Sequence, residues 1–481
     1  MAGWTNPYHL LIEEFKQRRD EGCVIPDTLL QRFAELSAET DAWNTERIDP
    51  IYDALMALPD DAELAAREPN DLAAIRALRP SGPRDLGWKP TETEAIDRFH
   101  GAWIGRAVGC ALGKPVEGMG MGNREGRHVG RADIKKYLTN RGDWPLTDYF
   151  TGRDAGDGLK ISCDRSWREN IAYMEPDDDI HYTLTGLGVV EESGPDFTWK
   201  DVATFWTHRI PFGAICTAET QAVQNFWNKS CRGWPKQTVA AGPAYTRRWR
   251  NPYREWIGAQ IRSDGWAYVC AGKPELAAEY AYRDACWTHE RNGIYGEMFC
   301  AAMQAAAFVE SDPARLVAIG LSEIPAECRL ARSVRQALGW VKECKDFEAC
   351  MDRIDAALPE MSPVHTINNA LICVISLFYG KMDTTATIAT SVMCALDTDC
   401  NGATVGSIVG AAAGKQRFRP ELAARLNDTI KPNIIGFQEV RMAELAKRTY
   451  TQWLRVEAWL REKQAGAKPV AKATAAGVVG G

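Results

Sequence analysis

The chain has 481 residues, 45% of them hydrophobic, and a formal net charge of -7. That length supports a large buried core, in one big domain or two to three smaller ones. The mild negative charge argues against nucleic acid as a partner, which calls for a basic stripe. No run of eighteen apolar residues appears, so no membrane span is expected. The start of the chain, Met1 to Asn6, lacks the basic-then-apolar pattern of a signal peptide. In chain order, the first ninety residues read as short polar helices. Leu11-Ile12-Glu13-Glu14-Phe15 and Leu29-Leu30-Gln31-Arg32-Phe33 have helical spacing and few β-branched residues. Pro80, Pro83 and Pro90, with Gly82 and Gly87, then break the pattern. This predicts an N-terminal helical extension over 1–90 and a domain over 91–465. Thr91-Glu92-Thr93-Glu94 is a capping-box start for the next helix. From there to about 415 most segments read as helices, among them 97–113, 181–192, 274–289, 297–309, 365–379 and 383–395. Strand-like alternation is rare, so the expected fold class is all-α. The stretch 118–175 is rich in Gly, Asp and Arg, has weak periodicity, and reads as a long irregular excursion. Residues 420–464 return to helix. The tail over 466–481 is rich in Ala, Val, Gly and Lys, has no aromatic residue, and is expected to be disordered. Fourteen cysteines are scattered without a CxxC pair and read as small core residues in a reducing cytoplasm.

Three motifs carry chemistry. Gly101, Gly105, Gly109 and Gly113 form one stripe down a helix. Each glycine costs about 1 kcal/mol relative to alanine there, so the stripe needs a close helix–helix contact in return. Glu117 follows Pro115 where that helix must end, and a carboxylate on that loop can reach a pocket. The second motif is Pro176-Asp177-Asp178-Asp179-Ile180. Capping a helix accounts for one aspartate; three in a row repel one another, which favours metal ligation. The third is Asp397-Thr398-Asp399-Cys400, set before a helix with Gly402, Gly406 and Gly410 and among apolar neighbours. If the fold joins the second and third motifs, at least five carboxylates share one pocket. A pair of Mg²⁺-like ions would remove their repulsion and supply Lewis acids.

In this order, over roughly residues 95–415, the motifs resemble those of the ADP-ribosylglycohydrolase family, which includes the dinitrogenase-reductase-activating glycohydrolases. The resemblance implies an all-α fold, two Mg²⁺ or Mn²⁺ ions, and hydrolysis at the anomeric carbon of a ribosyl group. The family's Thr-Asp-Asp-Thr falls on Asp177, Asp178, Asp179 and Ile180. Asp178 and Asp179 thereby inherit metal-ligand roles, and Asp177 puts a carboxylate where a hydroxyl stands. The family's Asp-x-Asp-Thr falls on Asp397, Asp399 and Cys400, where a softer sulfur replaces a hydroxyl ligand. Glu117 matches a catalytic or gating glutamate. Gly258 to Trp266 falls on a Gly-rich substrate loop and carries Asp264. His289 and Tyr295 match cleft-lining positions, and Trp266 is a candidate for stacking on a sugar or base. Glu297, where a small residue is usual, is a further acid/base candidate beside Asp264. The plainer alternatives are a turn residue for Asp264, a core histidine for His289 and a solvated helix start for Glu297. Arg106 and Arg262 suit phosphate or ion-pair roles. No Walker-type loop or nucleophile elbow is evident. The implied substrate is a small-molecule or protein-linked ribosyl group, with ADP-ribosyl first. The alternatives are another small glycoside, such as a nucleoside or natural-product conjugate, and a non-catalytic sugar-nucleotide-binding protein.

Overall fold

The computed structural model describes residues 3–37, 42–124, 127–231 and 242–466. The helices that position the site are α1 (Pro7–Asp20), α2 (Glu92–Gly113), α3 (Gly130–Arg141), α4 (Asp178–Ser193), α5 (Asn292–Ala307), α6 (Thr366–Tyr379), α7 (Thr398–Ala413) and α8 (Met442–Gly466). Strands among the described residues are two antiparallel pairs two residues long, Asn123–Arg124 with Arg127–His128 and Thr429–Ile430 with Val440–Arg441. The fold is all-α. No described helix is long and apolar enough to cross a membrane, and the cysteines whose side chains are described are all free.

Two helices form the axis of the core. Thr91 caps α2 as its sequence implies, its hydroxyl accepting the Glu94 N–H at 3.2 Å. Every residue of α2 from Gly101 to Gly113 is buried, and α7 is buried from Thr398 to Ala411. A helix buried on all sides belongs at the centre of a large core. The glycine stripe explains how they meet. Gly101, Gly105 and Gly109 face Gly410, Gly406 and Gly402 in antiparallel order, so closely that an added Cβ at any of them would run into the opposite backbone. The contact ends where Gly113 meets Thr398, whose hydroxyl donates to the Gly113 carbonyl at 2.8 Å. The C-terminus of α2 therefore lies beside the N-terminus of α7, which places Glu117 next to Asp397 and Asp399.

Two expectations need correction. The stretch 118–175 is not irregular throughout, because it contains α3. Ile134, Tyr137, Leu138 and Arg141 are buried at helical spacing, and Gly142 ends the helix in the left-handed region at φ 74°. Charged residues between these anchors blur the period. Residues 420–464 return to helix only in part. Short turns and a strand pair occupy 420–441, around Pro432 and Gly436, and only α8 is long. The tail expected over 466–481 lies, past Gly466, outside the described residues. The N-terminal segment packs Leu10, Leu11 and Phe15 with Ile48, Ile51 and Tyr52 in a small apolar cluster that also takes in Ala218 and Tyr253 of the main body.

Candidate metal centre and active site

The site is built at the end of the glycine contact. A 3₁₀ turn, Lys114–Val116, follows α2, and Glu117 opens the short helix Glu117–Gly120. Asp397 sits at the N-cap of α7 and Asp399 in its first turn. The loop before them is strained. Ala395 and Leu396 adopt left-handed conformations at φ 68° and 59° without being glycine, which costs of order 1–3 kcal/mol per residue. Two hydrogen bonds hold this loop, Leu396 N–H to Gly120 O at 3.2 Å and Asp397 N–H to Asn369 Oδ1 at 3.3 Å. Asn369 Oδ1 also accepts from Asn401 Nδ2 at 2.7 Å, so α6 and α7 brace the turn together.

Two carboxylate sets result. Oxygens of Glu117, Asp397 and Asp399 all lie within 4.8 Å of one another, and so do those of Asp177, Asp178 and Asp179 at the start of α4. The sets feel each other's charge: after burial, Asp177 and then Asp399 are the groups that raise Asp178 above the carboxylate range. In the first set Asp397 and Asp399 are only 8% and 3% exposed, and Asp399 Oδ1 has no hydrogen-bond partner. Burial and then Asp399 push Asp397 well up, and the charge of Asp399 followed by burial does the same to half-buried Glu117. The second set is answered by cations. Asp177 Oδ1 accepts the Asp179 N–H at 3.0 Å, and its Oδ2 pairs with Lys114 Nζ at 2.9 Å. Burial opposes its charge, yet these partners hold it below the usual range. Lys114 Nζ also donates to Pro176 O at 2.6 Å. Asp179 Oδ1 pairs with Arg106 Nη2 at 2.9 Å, and Arg106 Nη2 donates to Ile261 O at 2.7 Å. Converging oxygen donors, one of them buried and orphaned, fit a hard divalent cation such as Mg²⁺ or Mn²⁺.

The remaining candidates fall elsewhere. Asp264 is fully buried one layer behind Asp179, its Oδ2 2.8 Å from Arg106 Nη1. It anchors Arg106 and does not reach the carboxylate sets. Glu297 is buried without a hydrogen bond to either oxygen, 3.7 Å from Arg262 Nη2. Burial, then Asp284, push its carboxyl far up. It belongs to a buried cluster in which Arg262 also pairs with Glu219 and Asp284. Trp266 donates its Nε1 to Asp284 Oδ2 at 3.0 Å and stacks on Phe197, so it is core and not a sugar platform. His289 is fully buried, with Nδ1 2.7 Å from Thr288 Oγ1 and Nε2 without a hydrogen-bond partner, and burial keeps it neutral. Tyr295 points away, donating to Pro69 O at the N-terminal segment. Cys400 is buried and outside both sets, although Asp179 and Asp397 lie in its electrostatic surroundings. For Tyr295 and Glu297, matching positions along a helix does not say which side of it faces the cleft, and in α5 every side is buried. Three residues escaped the sequence reading in these roles: Lys114, Asn369, and Arg106 as the partner of Asp179. Lys114 carried a signal, a cation at the C-terminus of the glycine helix three residues before Glu117.

A family model described as ADP-ribosylglycohydrolase matches residues 91–457. A solved structure entitled "ADP-ribosylglycohydrolase-related protein complex" is 19% identical, with 75% of this chain and 99% of that chain covered and a TM-score of 0.45, a likeness too distant to speak to function. No curated protein matches by sequence.

Proposed function

The chain belongs to the ADP-ribosylglycohydrolase family, and from that premise we propose that it hydrolyses the glycosidic bond at the anomeric carbon of a ribosyl group. ADP-ribose linked to protein is the first substrate to test. The observation that carries this reading is the first carboxylate set, where Glu117, Asp397 and Asp399 converge around a buried Asp399 oxygen without a partner. Asp397 and Asp399, faced by Asp178 and Asp179, would hold Mg²⁺ or Mn²⁺. A bound divalent cation neutralises the cluster and acts as a Lewis acid toward sugar oxygens. The chain's own residues do the rest. Asn369 and the left-handed turn at Ala395 and Leu396 keep Asp397 in place. Arg106, backed by Asp264, fixes Asp179. Glu117, half-buried at the rim, accepts the proton of the water that attacks C1 as the sugar takes on oxocarbenium character.

Release of ADP-ribose from arginine-modified protein, assayed with Mg²⁺, with Mn²⁺ and with chelator, tests the reading. Metal-dependent release that disappears in Asp399→Asn, with helicity kept, is the expected result. Release that persists in chelator would remove the metal centre from the mechanism. No release, with metal bound, would transfer the activity to a smaller glycoside, to be sought with a nucleoside panel.

A further inference from the structure

The two carboxylate sets differ in counter-charge. Each holds three acids. Asp177 has Lys114 at 2.9 Å and Asp179 has Arg106 at 2.9 Å. Among the described residues, no lysine, arginine or histidine stands within ion-pair distance of Glu117, Asp397 or Asp399. Both oxygens of Asp177 are engaged, one by the Asp179 N–H and the other by Lys114. Lys114 is itself fixed, because Pro176 O takes a second of its protons and its side chain is only 11% exposed. A dication entering the second set would meet two resident cations and one remaining negative charge. A dication entering the first set would meet three carboxylates, one with a buried oxygen that has no other partner.

We infer that Lys114, assisted by Arg106, is a built-in cation that takes the place of one metal ion, so that this chain binds a single divalent ion, held by Asp397 and Asp399 beside Glu117. The inference rests on the reading of the site as a divalent-cation centre. Asp177 then serves as the N-cap of α4 and the counter-ion of Lys114, and ligates nothing.

Manganese titration of the full chain tests this, with stoichiometry read by calorimetry and the electronic state by electron paramagnetic resonance. The wild type is expected to take one Mn²⁺ per chain and to show the signal of an isolated ion. Asp399→Asn should lose that ion. Lys114→Met should gain a second ion and the exchange-coupled signal of a manganese pair, and Lys114→Arg should stay at one. Two ions in the wild type would overturn the inference and leave the metal-centre reading standing. No bound ion in the wild type would overturn both. A folded Lys114→Met that remains at one ion would overturn the role of the lysine. Should Lys114→Met not fold, the wild-type count still decides, with Lys114→Arg as its control.

Discussion

Two buried regions of this molecule gather acids at similar density and treat them in opposite ways. One is the seam between the N-terminal segment and the main body. There Glu14 and Glu21 pair with Arg254 at 2.8 and 2.7 Å, and Glu21 pairs with Arg18 at 2.6 Å. Asp60 meets Arg291 at 2.6 Å, and Glu68 and Glu255 share Arg329 at 2.8 and 2.7 Å. Glu21, Cys23 and Asp60 cluster as tightly as the acids of the site, but guanidinium groups already answer both carboxylates. Burial works against the charge of Glu21, and Arg254 more than offsets it, leaving this carboxyl far below its usual range. The other region is the first carboxylate set, where burial and then Asp399 drive Asp397 upward, and burial and then Asp177 drive Asp399 upward. Clustering of acids therefore does not identify a metal centre. Missing counter-charge is what separates the proposed centre from the seam.

Four measurements break or sharpen that contrast. Arg254→Ala strips Glu14 and Glu21 of a fully buried partner, and should destabilise the fold by about 3–5 kcal/mol in chemical denaturation. An unchanged midpoint would mean the seam is not held by its charges. Asn369→Ala removes the acceptor that fixes the Asp397 N–H, and should weaken Mn²⁺ binding about 10- to 100-fold, the usual cost of an outer-shell partner. Calorimetry on the folded variant reads this directly. Asp399→Asn should act on stability with the opposite sign to Arg254→Ala. In chelator it removes a buried charge that has no ion-pair partner, and the unfolding free energy should rise by an amount on the order of 1 kcal/mol.

The smallest effect is pH dependence. Folded Asp399, Asp178 and Glu117 are raised to about 6, 8 and 9, so the folded chain keeps protons that the unfolded chain has released. Their contribution to stability is full below the unfolded carboxylate range near pH 4. It is lost as pH rises through about 6 to about 9. Metal-free protein should thus melt lower at pH 8.5 than at pH 5.5. Saturating Mn²⁺ should flatten that slope, since binding needs ionised carboxylates. Depressed Glu21 works the other way and loses its contribution only in strong acid, as pH falls through its folded value. A metal-free melting temperature that climbs with pH would show seam-type groups to dominate.

Parts of the site were legible locally. Glu117, Asp397 and Asp399 stand beside helix ends that the glycine pattern announces, and a stripe with a period of four residues demands a partner helix. The chain alone thus determined an all-α class, the glycine contact and the acidic motifs, because each depends on spacing within one segment. It did not show where Asp264, Trp266, Tyr295 and Glu297 lie relative to the carboxylate sets, because a position on a buried helix does not reveal the side it presents, and His289 lies in the turn before α5. It also missed α3, whose few apolar anchors are diluted by charge. Only the tertiary structure decided which acids are already neutralised. Lys114 and Asp177 are 63 positions apart, Arg106 and Asp179 are 73 apart, and Asn369 braces Asp397 from another helix. Coulomb interaction depends on distance in space and on the surrounding dielectric, and neither quantity is written in the order of residues.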